Sequence, residues 1–304
     1  MLKYIYIILL IFILLPNLSF GQGQAYEPVY SQYWVNGLAI NPAYTGSREC
    51  FSNTILYRNQ WMGFPGAPVT QTLSSHAPFK DQKNAAGLFL FHEQIGVSDY
   101  IDIYANYAFR FQFAGGKLSL GLKAGATLFQ GNYSDLIASP DDITNASDGA
   151  LIDESATIPN FGVGAYYYND KYFIGLSVPK LLTHELKISP NNYDFLLTGG
   201  YLFKFNEKLK FKPSFLLRYR FDNTYQVDIS ANTIWFDALW VGGSYRVGND
   251  VAAMVEYQVS NQIRAGVAYD FSLGEFSSQH SGSLELVLRY EFKYKIRAVS
   301  PRYF

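Results

Sequence analysis

The sequence predicts an all-β protein: a transmembrane antiparallel β-barrel of about 14 strands, preceded by an ordered N-terminal segment. Three observations carry the prediction. Apolar and polar residues alternate with period two along segments of ten or more residues, and a bilayer asks about 9–11 tilted residues of a strand. Charged residues stand in the middle of these segments, on one face. The links between segments are short at one end and long at the other, as in transmembrane barrels.

The chain has 304 residues, with 24 Lys plus Arg against 25 Asp plus Glu, a net charge of -1. That balance offers no basic surplus for nucleic acid and no acidic tail. Aromatic residues reach 17%, with 25 Tyr and 24 Phe, which is high for a soluble domain. At the N-terminus Lys3 precedes the apolar run Ile5 to Leu15, Pro16-Asn17 break it, and Ser19-Phe20-Gly21 supply small residues for cleavage. This reads as a secretory signal peptide over 1–21, since the run falls well short of the ~20 residues that span a bilayer. No cysteine stands at the cleavage point, and the single Cys50 reads as a small buried residue rather than a lipid attachment site. No later apolar run is long enough for a transmembrane helix.

Residues 22–50 then form an N-terminal segment, periplasmic or plug-like, and 51–304 the barrel. The stretch Pro28 to Pro78 is dense in aromatics, Asn, Gln, Gly and Pro. Its pieces NPAYTG (Asn41 to Gly46) and YRNQWMGFPGAPVTQ (Tyr57 to Gln71) suit irregular, specific shapes: Asn-Pro favours turn initiation and Gly46 accepts a positive φ. Preceding the first strand, the segment is expected to start on the periplasmic side. There it either plugs the barrel or presents Tyr30, Trp34, Asn41 and Tyr44 to a periplasmic partner. Aromatic and polar residues clustered as at binding hot spots favour presentation. Tyr30, Trp34, Asn41, Tyr44, Arg58 and Trp61 are the candidate partner-binding residues, with Phe64 a further anchor.

Strands are expected near 52–58, 69–78, 85–92, 99–113, 117–131, 160–168, 171–178, 192–205, 209–221, 224–235, 238–247, 250–258, 261–272 and 282–293. From Ile101 to Phe113, Ile101, Ile103, Ala105, Tyr107, Phe109, Phe111 and Phe113 oppose Asp102, Tyr104, Asn106, Ala108, Arg110 and Gln112. Lys117 to Gln130 sets Leu118, Leu120, Leu122 and Leu128 against Ser119, Lys123 and Thr127, and Ser283 to Lys293 sets Leu284, Leu286 and Leu288 against Glu285, Arg289 and Glu291. Apolar faces belong to lipid. The lumen receives Asp102, Arg110, Lys123, Lys212, Arg218, Arg220, Asp228, Arg246, Glu256, Arg264, Asp270, Glu285, Arg289, Glu291 and Lys293. Mixed signs favour a salt-bridged, nearly closed lumen over a hydrated pore. Tyr166, Tyr167, Tyr168, Tyr172, Trp235 and Trp240, near strand ends, suit an interface girdle.

Links that follow even strands are short: Lys80 to Asn84, Ala114 to Gly116, Asn169-Asp170, Asn206 to Lys208 and Phe236-Asp237. The long ones, Asn59 to Pro68, Asn132 to Pro159, Pro179 to Asn191 and Leu273 to Ser281, all follow odd strands and belong outside the cell.

The residues offer little for catalysis. His76, His92, His184 and His280 are scattered, and only Ser74 shares a face with a neighbouring histidine, His76. Polar residues near a barrel rim account for that pair without a triad, so no enzyme is expected. The acidic loop with Asp135, Asp141, Asp142, Asp148, Asp153 and Glu154 lacks EF-hand spacing and reads as solvated. No Gly-rich loop opens a helix to hold a nucleotide, and no cofactor or metal is expected.

Several linked motifs resemble the PorP/SprF family over nearly the whole mature chain. They are SQYWVNGLAINPAYTG, YRNQWMGFPGAPVTQT, IPNFGVGAYYYNDKYFIGLSVPKLL (Ile158 to Leu182), LKFKPSFLLRY (Leu209 to Tyr219), QVDISAN (Gln226 to Asn232) and LWVGGSYR (Leu239 to Arg246). The resemblance implies an outer-membrane protein of the type IX secretion and gliding-motility machinery of Bacteroidetes. It implies a non-enzymatic partner of the secretion components that helps export or retain a large surface adhesin, or other cargo with a C-terminal secretion domain. The alternative is an outer-membrane channel for ions or small solutes. Glu93 in FHEQIG stands where the family often has Asp, and Leu284 in GSLELVLRYEF where His is usual, which suits a divergent paralogue. The closing SPRYF, with Phe304 terminal, looks like the aromatic end that barrel-insertion machinery favours.

Overall fold

The structure, a computed structural model, describes residues 30–136, 152–182, 194–220, 224–292 and 303–304. Its strands are β1 (Phe51–Asn59), β2 (Val69–Pro78), β3 (Asn84–Ile95), β4 (Ser98–Phe113), β5 (Gly116–Gly131), β6 (Glu154–Tyr168) and β7 (Tyr172–Val178). There follow β8 (Asp194–Tyr201), β9 (Leu209–Arg220), β10 (Tyr225–Trp235), β11 (Leu239–Arg246), β12 (Asp250–Gln258), β13 (Ile263–Ser272) and β14 (Ser283–Phe292). The two-residue piece Phe203–Lys204 continues β8 past Leu202, because Phe203↔Phe211 and Gly200↔Ser214 lie in one register against β9.

Each strand pairs antiparallel with its neighbour in sequence, and β1 pairs with β14 from Phe51↔Phe292 to Asn59↔Leu284. The barrel is therefore closed, with fourteen strands once the interrupted β8 is taken as one. Closure matters in lipid because an open edge would leave backbone groups with neither water nor a partner. Short hairpins close one end. Ala114 (φ 46°) and Gly115 (φ 78°) form the β4–β5 turn, and Phe236 (φ 53°) and Asp237 (φ 56°) the β10–β11 turn. Two positive-φ residues match the right-handed twist of the flanking strands. The other end carries the longer links and is the outer end.

The faces fall as the alternation predicts. In β5 Leu120 is 49% and Leu122 58% exposed, whereas Ser119 is 0% and Lys123 5% exposed. In β14 Leu286 and Leu288 face outward while Glu285 and Arg289 are buried. Every charge assigned to the lumen from Asp102 to Arg289 is buried. Glu291 is half-buried, and Lys293 lies outside the described residues.

Two expectations are corrected. β6 begins at Glu154, so the link after β5 is shorter than Asn132 to Pro159; the early part of β6 pairs with the long β5, Pro159 opposite Ala126. Tyr166 and Trp240 are not girdle residues: they are buried in the lumen, and Tyr168 packs against the interior cluster. Period two sends alternate aromatics inward, so an aromatic near a strand end is not by itself an interface residue. Outside, Tyr172 stacks on Tyr201 at 6.5 Å and Tyr167 lies 5.6 Å from Tyr172, a girdle at the short-turn end. β14 finishes at Phe292, and Phe304 packs on Phe173 inside the mouth at 5.1 Å.

Arginine in place of Leu120 or Leu286 puts a charge at mid-depth on the lipid face, at a cost of ~2–4 kcal/mol. Both variants are expected to fail to accumulate as heat-modifiable barrels in outer-membrane fractions, while Lys123→Ala, which changes the lumen, still assembles. The orientation has its own check: an epitope tag inserted after Asn145, in the β5–β6 link, is expected to be reached by antibody on intact cells.

Candidate functional site

The lumen is not empty. Every residue from Tyr30 to Arg48 is buried, and this stretch lies inside the barrel as an irregular plug. Its sequence explains the shape. One helical turn, Gly37–Ile40, starts at Asn36, whose side chain does not cap it. Instead the Asn36 amide donates to Thr72 Oγ1 at 2.8 Å and its carbonyl accepts from the Ser74 hydroxyl, both on β2. A 3₁₀ turn, Pro42–Tyr44, follows, with Asn41 as its cap: Asn41 Oδ1 accepts from Ala43 N–H at 2.9 Å. Asn-Pro thus supplies the side-chain acceptor and the fixed φ of a turn start. Gly46 then takes φ 75° and lies so close to Ala85 that a side chain would overlap it.

The wall is shaped to receive this turn. Gly121 on β5 and Gly164 on β6 face each other across the ladder. A Cβ on Gly121 would collide with Ala43 backbone, and one on Gly164 with the Asn41 side chain. Asn41 Nδ2 donates to Ala165 O at 3.0 Å, Ser119 Oγ to Ala43 O at 2.6 Å, and Ser177 Oγ to Ile40 O at 2.6 Å. The polar wall residues therefore satisfy plug backbone that no regular structure satisfies.

Charge holds the two ends of the plug. Near the outer end, Arg58 Nη2 meets Asp270 Oδ2 at 2.6 Å and Arg58 Nη1 meets Glu285 Oε2 at 3.2 Å, every side chain at most 2% exposed. The two carboxylates outnumber the one guanidinium, and the plug supplies further donors: Ser31 N–H (3.0 Å) and Gln32 N–H (2.9 Å) to Glu285, and Ser31 Oγ (2.6 Å) to Asp270. Toward the periplasm, Trp34 Nε1 donates to Glu256 at 3.0 Å, Arg289 donates to Val35 O, and Arg110 to Gly46 O. At the mouth Arg48 Nε pairs with Glu291 at 2.7 Å. The plug thus runs from the outer third of the lumen at Ser31 down to Arg48. It does not begin at the periplasmic end as expected, because its first described residues are held by Arg58 and Glu285, near the outer ends of β1 and β14.

Of the six candidate partner residues, Tyr30, Trp34, Asn41, Tyr44 and Arg58 are buried in the lumen, where they are contacts of plug and wall; none is presented at a rim. Trp61 lies apart from them in the β1–β2 link at the outer rim, edge-on to Phe276 at 5.1 Å, with Phe64 on the same Phe276 at 5.2 Å. That link is sewn to its neighbours, Met62 N–H donating to Gly282 O at 2.8 Å and Gly96 N–H to Gly66 O at 2.9 Å. Ser74 and His76 both serve the plug: Ser74 donates to Asn36, and His76 Nδ1 accepts from Gly46 N–H at 2.9 Å. In the acidic loop, Asp153 accepts from Ser134 N–H and Oγ, while Asp141, Asp142 and Asp148 lie outside the described residues. Among the described residues no cluster of three or more His, Cys, Asp and Glu is placed to hold a metal. Sequence reading missed the seat glycines Gly121 and Gly164; their signal was a glycine on the lumen-facing side of each of two adjacent strands.

A closed antiparallel barrel with an apolar exterior and a plugged, charge-paired interior is an outer-membrane β-barrel. The chain matches, over residues 22–290, the family described as type IX secretion system membrane protein PorP/SprF, and it belongs to that family. It is a membrane protein of the outer membrane. Among solved structures it is similar to the CymD monoaromatic hydrocarbon channel (13% identity, TM-score 0.50, covering 90% of this chain and 96% of that one). It is also similar to the outer membrane protein Omp33 of Acinetobacter baumannii (8% identity, TM-score 0.49, 81% and 100%). At such identities the likeness is one of fold. No curated protein sequence matches the chain.

Removing Arg58 leaves Asp270 and Glu285 buried without their cation, and breaking such a pair costs ~3–5 kcal/mol. Arg58→Ala is expected to lower the midpoint of unfolding on heat-modifiability gels. Gly164→Leu is expected to keep the barrel but expel the Asn41–Tyr44 turn, read as new protease cleavage within residues 30–48.

Proposed function

We propose that this barrel is a non-enzymatic interaction component of the type IX secretion and gliding machinery. It supports secretion or surface anchoring of a large cell-surface adhesin, or of other cargo carrying a C-terminal secretion domain. The family supports the setting, and the filled lumen carries the choice of role: charged side chains that would line a pore are spent on one another and on the plug. A barrel so closed offers partners its rims and outer wall rather than a path for solute. Its partners are secretion components and the exported protein. Of the candidate set, Trp61 and Phe64, packed on Phe276 at the outer rim, are the residues proposed to meet one directly. Tyr30, Trp34, Asn41, Tyr44 and Arg58 act through the plug, and meet a partner only if the plug moves.

A channel for ions or small solutes is the competing reading, and conductance separates the two. The purified protein in planar bilayers is expected to show no large, stable open-channel current, whereas a variant lacking residues 30–46 conducts. Stable large currents from the intact protein would sink the proposal. Affinity purification from native membranes is expected to bring down secretion components and a surface-exported protein.

A further inference from the structure

On the outer side of the plug the lumen keeps a hollow that neither wall nor plug fills. Its floor is the plug itself, at Tyr30, Ala39 and Ile40, and Phe89 and Phe91 of β3 stand beside it. Polar groups reach it from several strands: Glu93 on β3, Asp102 on β4, Lys123 and Thr127 on β5, and Arg218 on β9. Lys180, just past β7, joins them. Glu93, Asp102, Lys123 and Arg218 are each at most 5% exposed, so their charges are answered locally or not at all. The two carboxylates are engaged. Asp102 pairs with Lys180 at 3.2 Å and accepts from the Thr127 hydroxyl, and Glu93 accepts from Thr70 Oγ1 at 2.7 Å. Three lining cations, Lys123, Lys180 and Arg218, thus face two lining carboxylates. Arg218 lies 3.7 Å from Asp194, but Arg220 shares that carboxylate at 2.9 Å, so counting both leaves the excess at one positive charge. Lys123 Nζ stands 4.3 Å from the centre of the Tyr104 ring and 5.9 Å from that of Phe89. Ring faces attract an ammonium without cancelling its charge.

We propose that this hollow is a binding site for a small alkyl carboxylate, entered from the outer side and closed below by the plug. Size, charge and lining agree on that class. The space is about 40 Å³, and a water needs ~10–15 Å³, so it holds about three waters or one compact group such as a carboxylate on a short stem. One negative charge balances the lining. The carboxylate takes charge-assisted hydrogen bonds from Lys123 and Arg218, which are among the stronger ones. The stem lies on Phe89, Phe91 and Ile40, the mixture of apolar walls and a few placed polar groups that small-ligand sites use. Because Tyr30, Ala39 and Ile40 form the floor, the site is complete only while the plug is seated, and an occupant stabilises the seated plug in return. An Asp or Glu side chain of a polypeptide docked from outside and a free short-chain acid carry this same chemistry. The inference goes beyond the proposed secretion role and does not rest on it.

The probe is propionate, titrated onto the intact barrel in detergent and followed by saturation-transfer NMR, with propionamide as its neutral counterpart. Propionate is expected to bind at least ten-fold more tightly than propionamide. Lys123→Met and Arg218→Gln are each expected to weaken propionate at least five-fold and to leave propionamide unchanged. Lys117→Met removes the same charge at the periplasmic end, where Lys117 pairs with Glu49, and is expected to leave propionate binding as it was. The peptide N-acetyl-Ala-Glu-Ala-amide separates the two sources. Binding tighter than propionate supports the site and assigns it to a polypeptide side chain; propionate binding without peptide binding supports it and assigns it to a free acid. Wild-type barrel that binds neither, or binds propionate no better than propionamide, overturns the proposal, whether or not the variants assemble. Propionate binding that survives both Lys123→Met and Arg218→Gln in heat-modifiable barrels overturns it equally.

Discussion

A charged lumen inside hydrocarbon walls is the constraint on which the rest of this structure depends. Each buried ion must find an opposite charge and further hydrogen bonds, or the barrel pays heavily for closing around it. The wall does not meet that demand alone. Asp270 and Glu285 share one guanidinium, Arg58, and their remaining acceptors are filled by Ser31 and Gln32 of the plug. The plug has the complementary need. Its backbone is irregular, with one helical turn and one 3₁₀ turn, and Ser119, Ser177, Arg110 and Arg289 supply what regular structure would have supplied. Wall and plug each complete the other's hydrogen bonding, which is why neither is well described as scaffold or insert.

Much of the barrel was legible because period two is a local signal. Leu120 outward and Lys123 inward follow from alternation alone, and link lengths then fix the strand parity. The plug was legible only as an oddity. Asn41-Pro42 and Gly46 announce a specific turn, but nothing local to them says that the partner is Gly164, more than a hundred residues on. The same limit explains the candidate residues. Clustered aromatics look alike whether they await a partner or already fill a lumen, and Trp34 and Tyr44 prove to be of the second kind. Tyr166 and Trp240 show the converse, since composition near a strand end cannot tell rim from interior until the phase of alternation is applied to that residue.

The seam of the barrel has a consequence for how the chain can be built. The two strands that close it are β1, which follows the plug, and β14, which precedes the Tyr303–Phe304 pair at the mouth. They also carry many of the groups that hold the plug: Arg58 on β1, and Glu285, Arg289 and Glu291 on β14. A cylinder zipped shut without its contents would leave these groups stranded in its interior, at the very line where the last ladder forms. A hollow tube is therefore the less stable product, and closing the sheet around its contents gives these groups partners as the last ladder forms. The order of synthesis suits this. The plug precedes every strand in the chain and is available from the start as the core around which the sheet curls.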